Sequence, residues 1–180
     1  MGNLILGQGD LTYYFAQIFD RLQIPYLLTG SLAVSYYGRP RATHDVDFIV
    51  EIETRNISPL LKEIRALDSS FVVNIEEIQN AVEKTSQFNL FHPETGIKTD
   101  FWLMKKTVFE KNKFQRGRKF PFWDLKINVI SPEDLILNKL LWSKEIKSER
   151  HLSDCAGILQ IQGKKIEQEY LKAWAKKLGV

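Results

Sequence analysis

Asp45 and Asp47 open the apolar run Asp-Val-Asp-Phe-Ile-Val, residues 32–44 separate them from a Gly30-Ser31 pair, and a later segment, Lys-Thr-Asp-Phe-Trp, carries Asp100. Carboxylate oxygens are the donors that Mg2+ and Mn2+ prefer, and two such ions roughly 3.5–4 Å apart activate an attacking hydroxyl while neutralising a leaving pyrophosphate. Residues two apart in a strand share a face, so Asp45 and Asp47 point together with backbones about 6–7 Å apart. Val46, Phe48 and Val50 take the other face. The acid face continues into Ile49, and that of Asp100 into Trp102 and Met104, which places the carboxylates where a polar rim meets the core. An acid held there is costly unless cations or hydrogen bonds compensate it. Gly30 admits close backbone approach, the Ser31 hydroxyl can bond phosphate, and the positive end of a helix starting there faces an anion. If the three acids converge beside that turn, the chemistry is metal-assisted nucleotidyl transfer.

The elements that must position these groups are legible from periodicity. Leu11, Tyr14, Phe15, Ile18, Phe19 and Leu22 recur at helical spacing, which predicts an amphipathic helix over 10–22, broken by Pro25. Tyr26 to Thr29 is a short buried strand, Gly30 a tight turn, and Ser31 to Tyr37 a helix stopped by Gly38 and Pro40. Val46 to Ile52 reads as the next strand and Pro59 to Leu67 as a helix. Phe71 to Val73 is a candidate strand, and Glu76 to Lys84 a helix. Phe88 to His92 and Ile97 to Met104 flank Pro93-Glu94-Thr95-Gly96 as a hairpin presenting Asp100 mid-strand. Lys126 to Ile130 is a strand, and Ser131-Pro132-Glu133-Asp134 is the clearest helix start, with its serine cap, first-turn proline and acids. Helices over about 149–161 and 166–178 follow, the last with Ile166, Tyr170, Trp174 and Leu178 on one stripe. The expected fold class is α+β: a mixed sheet flanked by helices over residues 1–130, with a helical C-terminal portion over 131–180 packed on it.

A chain of 180 residues, 44% apolar and 26% charged, can bury an ordinary core. No stretch approaches the ~20 apolar residues of a membrane span, and no signal-peptide pattern heads the chain, so the expected compartment is the cytoplasm. The single cysteine, Cys155, excludes an internal disulfide or thiolate metal cluster and reads as a helix-interior core residue. Net charge is only +3, but Lys105 to Lys119 holds seven cations (Lys105, Lys106, Lys111, Lys113, Arg116, Arg118, Lys119) against Glu110 alone. Interleaved with Phe109, Phe114, Phe120, Phe122 and Trp123, this stretch is a candidate contact for phosphate or single-stranded nucleic acid; the bland alternative is a solvated face over core aromatics.

The Thr29-Gly30-Ser31, Asp45-Val46-Asp47-Phe48 and Asp100 set, with Gly38 to His44 between, resembles the nucleotidyltransferase superfamily that includes DNA polymerase β, particularly its small prokaryotic members. Threonine replaces the first apolar residue of that pattern. Asp134 with Lys139 resembles the Asp-x-x-x-x-Lys element of AbiE-type toxin nucleotidyltransferases. The resemblance spans about residues 27–141. It implies that Asp45, Asp47 and Asp100 are catalytic metal ligands for Mg2+ or Mn2+, with Asp100 also the base toward the acceptor. It further implies that Gly30 and Ser31 hold the triphosphate of an NTP substrate, that Arg41 reaches a phosphate, and that Lys139 contacts nucleotide. The acceptor stays open between protein, RNA and a small molecule.

Two rival readings come from the same residues. His44-Asp45 is an HD dipeptide, as in metal phosphohydrolases, but that chemistry builds on helices and His44 leads into a β-branched run. His151 with Asp154 reads as a metal pair or a local helix contact, and His92 as structural. The fold can also serve only to bind, as an antitoxin-like or nucleic-acid-binding module.

Overall fold

The computed structural model describes residues 5–180, the side chain of Glu145 excepted. In chain order the elements are α1 (Gln8–Leu22), β1 (Tyr26–Leu28), α2 (Gly30–Tyr37), β2 (Asp45–Val50), α3 (Thr54–Leu67), α4 (Ile75–Lys84), β3 (Gln87–His92), β4 (Ile97–Leu103), α5 (Val108–Arg116), β5 (Arg118–Phe122), β6 (Leu125–Val129), α6 (Pro132–Glu145), α7 (Glu149–Gln162) and α8 (Gln168–Leu178). The strands form one mixed sheet in the order β3-β4-β2-β1-β6-β5. β2 runs parallel to β4 and β1 parallel to β6, while the other neighbours are antiparallel. The class is α+β, as the sequence predicts.

Strand alternation divides the sheet into two chemically different faces. Val46, Phe48 and Val50 of β2 and Thr99, Phe101 and Leu103 of β4 are buried, and Phe48 and Phe101 stack at 6.0 Å. Phe15 and Phe19 of α1 close over them edge-on, because their helical spacing aims both rings at the same strands. Burying each such ring contributes roughly 1.5–3 kcal/mol, which makes this aromatic layer the chief anchor of β2. On the opposite face β2 presents Asp45 and Asp47, and β4 presents Lys98, Asp100 and Trp102. Helix α6 meets that face, with Trp142 against Trp102 at 5.4 Å. Ser131 caps α6 by accepting from Asp134 N at 3.1 Å, with Pro132 at its start.

Three local expectations need correction. α3 begins at Thr54 rather than at Pro59, because the stripe Ile57, Leu60, Ile64 and Leu67 starts before the proline and Asn56 closes the first turn on Glu53 N at 2.9 Å. Residues 71–73 make only the bridge Val72↔Phe91, with no strand of their own. The basic stretch, to which periodicity assigned no element, folds as α5 and β5. Thr107 caps α5, and β5 pairs with β6 as a hairpin.

That folding engages three of the seven cations in ion pairs. Lys113 is buried, 2.6 Å from Glu110 and 3.0 Å from Asn138. Arg116 joins α5 to α6 and α8 through Glu133 (2.9 Å) and Glu167 (3.0 Å), with its guanidinium over the Tyr170 ring. Arg118 lies 3.8 Å from Glu133. Lys105, Lys106, Lys111 and Lys119 remain exposed. Cys155 is buried, and burial raises its thiol to about 11, so it stays protonated as a core residue. Among the described residues no helix is long and apolar enough to cross a membrane.

Candidate active site

The β1-α2 turn is built around a glycine that has no substitute. Gly30 sits at φ 65, in the left-handed region, and a Cβ there would lie 1.9 Å from Asp47 Oδ2 and 2.8 Å from Asp47 Cβ. Thr29 N bonds Asp47 O at 2.9 Å, fastening the turn to β2. No side chain caps the first turn of α2, whose N–H groups stand at the turn. The turn and the acid strand are thereby locked to each other through the backbone.

The parallel register of β2 and β4 sets Asp100 directly beside Asp47, and Lys98 beside Asp45. All three acids therefore occupy one face, as the sequence reading requires. Their carboxylate oxygens do not all fall within 4.8 Å of one another, and Lys98 holds Asp100 at 2.9 Å. Lys98 escaped the sequence reading, although its spacing of two from Asp100 puts it on the acid face. Burial first, then the charges of Asp100 and Asp45, push Asp47 up to about 6; Lys139 and the Trp102 indole act in the opposite sense. Two like charges beside a partly buried carboxylate, with oxygen as the donor atom throughout, suit a divalent cation.

Asp154, on α7, gathers the two cations that the sequence pattern singled out. Arg41 Nε and Nη2 each lie 3.2 Å from its carboxylate, Lys139 Nζ lies 2.8 Å away, and Arg41 Nη2 also donates to Ser31 Oγ at 2.5 Å. Burial works to raise the Asp154 carboxyl, but hydrogen bonds from Arg41 and Lys139 outweigh it and hold it below the ordinary value. Lys139 is buried, so the pair is no surface contact. Asp134, its partner in the Asp-x-x-x-x-Lys element, turns away to Ser131, Tyr170 and Arg116.

Between these groups and α6 lies a cavity of about 320 Å3. Gly30, Ser31, Asp45 and Asp47 form one end, and Trp102, Trp142 and His151 the other, with Lys139 in its lining. Seven predicted residues thus meet in one region: five line the cavity, Asp100 adjoins through register, and Arg41 through Ser31. Trp142 was missed because a helix-face aromatic carries no spacing signal by itself, and Asp154 was read only with His151 because nothing local links it to Arg41 or Lys139.

The histidines do not assemble a phosphohydrolase centre among the described residues. His44 is exposed on the loop before β2. His92, buried on the aromatic face, has Nδ1 2.9 Å from Thr95 Oγ1 and Nε2 3.4 Å from Asp68 Oδ2, tying the β3-β4 hairpin to the end of α3. With Glu94 it forms a group whose ligand atoms lie within 4.8 Å, but both ring nitrogens already face partners.

No protein-family profile matches the chain, and no curated protein matches it. Solved structures do. The crystal structure of ANT(2")-Ia in complex with adenylyl-2"-tobramycin superposes with a TM-score of 0.61 at 14% identity, over 96% of this chain and 99% of that one. The lincomycin-bound lincosamide antibiotic adenylyltransferase LnuA gives 0.55 at 18% identity, over 87% and 99%. An antigenic nucleotidyltransferase-like protein from Paracoccidioides brasiliensis gives 0.54 at 20% identity, over 85% and 74%. At these identities the likeness is one of fold, and it covers sheet and C-terminal helices together. The chain has the α+β fold of the nucleotidyltransferases.

Proposed function

We propose that the protein transfers a nucleoside monophosphate from an NTP to an acceptor hydroxyl or phosphate and releases pyrophosphate. The observation that carries this reading is the Asp47-Asp100 register pair standing beside the Gly30 turn. Asp45, Asp47 and Asp100 are the residues that would hold Mg2+ or Mn2+, which when bound neutralises phosphate oxygens and sharpens the acceptor oxygen as a nucleophile. Gly30 and Ser31 receive the triphosphate at the α2 N-terminus, where free N–H groups and the helix dipole favour anions. Arg41 and Lys139, oriented by Asp154, supply positive charge to the phosphates. Asp100, held by Lys98 outside the cavity lining, takes the proton of an acceptor hydroxyl. The acceptor oxygen then bonds the α-phosphorus, and the bond to the bridging oxygen breaks with its electron pair leaving on pyrophosphate.

The structural neighbours include adenylyltransferases, which favours ATP as the donor. Resemblance to the AbiE-type toxins favours a toxin-antitoxin setting, with the acceptor a protein, an RNA or a small molecule. The test is incubation of the protein with each labelled NTP and Mg2+ or Mn2+ in cell extract, against an Asp45→Asn/Asp47→Asn variant. Incorporation by the wild type alone is expected; equal incorporation by both would remove the assignment.

A further inference from the structure

The aromatic end of the cavity has no role in the steps above. Trp102 and Trp142 meet at 5.4 Å with a 38° tilt, and Trp142 and His151 at 5.8 Å with a 47° tilt, so no ring face is fully stacked by its neighbour. Packing that served only the fold would close this space and satisfy its polar atoms. Instead the cavity persists, with His151 in its lining and His151 Nδ1 without a hydrogen-bond partner. A buried polar atom left unpaired loses the solvation it had in the unfolded chain, which is tolerated where a ligand completes the set.

We propose that this end of the cavity is the nucleobase site: the base of the NTP stacks on Trp142, and the imidazole of His151, in the cavity lining, hydrogen-bonds its edge. The inference rests on the transfer reading, because it takes the acid end as the phosphate end. A continuous cavity that is anion-binding at one end and aromatic at the other matches a nucleotide, whose charge and π-surface are likewise separated. Its volume of about 320 Å3 lies at the small end of ligand sites. Trp142 supplies stacking that every base accepts, so choice among bases falls to His151.

Calorimetric titration with each NTP and with inorganic tripolyphosphate, in Mg2+, tests this on the wild type, Trp142→Leu, Trp142→Phe and His151→Leu. Trp142→Leu should weaken NTP binding fivefold or more while leaving tripolyphosphate unchanged, since loss of one base-aromatic stack has that size. Trp142→Phe keeps a ring and should recover most of the affinity, and His151→Leu should narrow the differences among the four NTPs. In the unaltered protein, NTP but not tripolyphosphate should quench tryptophan fluorescence. Equal loss of NTP and tripolyphosphate in Trp142→Leu, or no loss of either, overturns the base site and leaves the transfer reading standing. Failure of the wild type to bind either ligand overturns both.

Discussion

Replacing Gly30 by alanine should damage the protein twice over, and the two effects separate experimentally. The first is backbone strain: an L side chain at φ 65 costs about 1–2 kcal/mol. The second is overlap, because the new Cβ would sit 1.9, 2.5 and 2.8 Å from Oδ2, Cγ and Cβ of Asp47. Rotation of Asp47 relieves the first two contacts but not the third, which is fixed to the backbone of β2. Either the turn or the strand must move, at a further cost of about 1–3 kcal/mol. Gly30→Ala should therefore lose about 2–5 kcal/mol in urea unfolding. In an Asp47→Gly background only the strain survives, so the same substitution should lose about 1–2 kcal/mol there. Four unfolding curves at one pH complete the cycle. Equal losses in both backgrounds, within about 0.5 kcal/mol, would refute the contact between the turn and the acid strand.

Asp47 is raised from 3.8 to about 6, so its favourable protonation is fully present below pH 3.8 and is lost as pH climbs through about 6. Metal-free wild type should lose at most about 3 kcal/mol over that window, nearer 1–2 with solvent in the cavity, and Asp47→Asn should abolish the loss; an unchanged pH profile would contradict the crowded carboxylates. Asp154→Ala leaves Lys139 buried without its partner and should cost about 3–5 kcal/mol in denaturant unfolding; a change below about 1 kcal/mol would contradict the buried pair. With only Lys105, Lys106, Lys111 and Lys119 exposed in the basic stretch, any nucleic-acid affinity through it should fall with a log-log salt slope of about 3–4. A slope matching all seven cations would contradict the pairing of Lys113, Arg116 and Arg118.

What could be read in advance followed from local rules. Strand alternation put Asp45 and Asp47 on one face, the hairpin signal put Asp100 mid-strand, and Ser131-Pro132 marked α6 to the residue. Which face Asp100 takes depends on the β2-β4 register, a non-local pairing that no local pattern encodes. Charge counting over residues 105–119 cannot see partners that arrive from α6 and the start of α8, such as Glu133 and Glu167. Pro59 misplaced the start of α3 since proline favours a first turn, yet the apolar stripe beginning at Ile57 outweighs it. Asp154 shows the same limit at the site: only folding brings it to Arg41 and Lys139, more than a hundred residues and one helix away respectively.

In the proposed reaction the acids of β2 and β4 direct attack at the α-phosphorus of an NTP. Parallel reactions in Mg2+ with the label on either the α- or the γ-phosphate check this. The α-label should appear on the acceptor and the γ-label in pyrophosphate, with neither product from Asp45→Asn/Asp47→Asn. Appearance of the γ-label on the acceptor would contradict it.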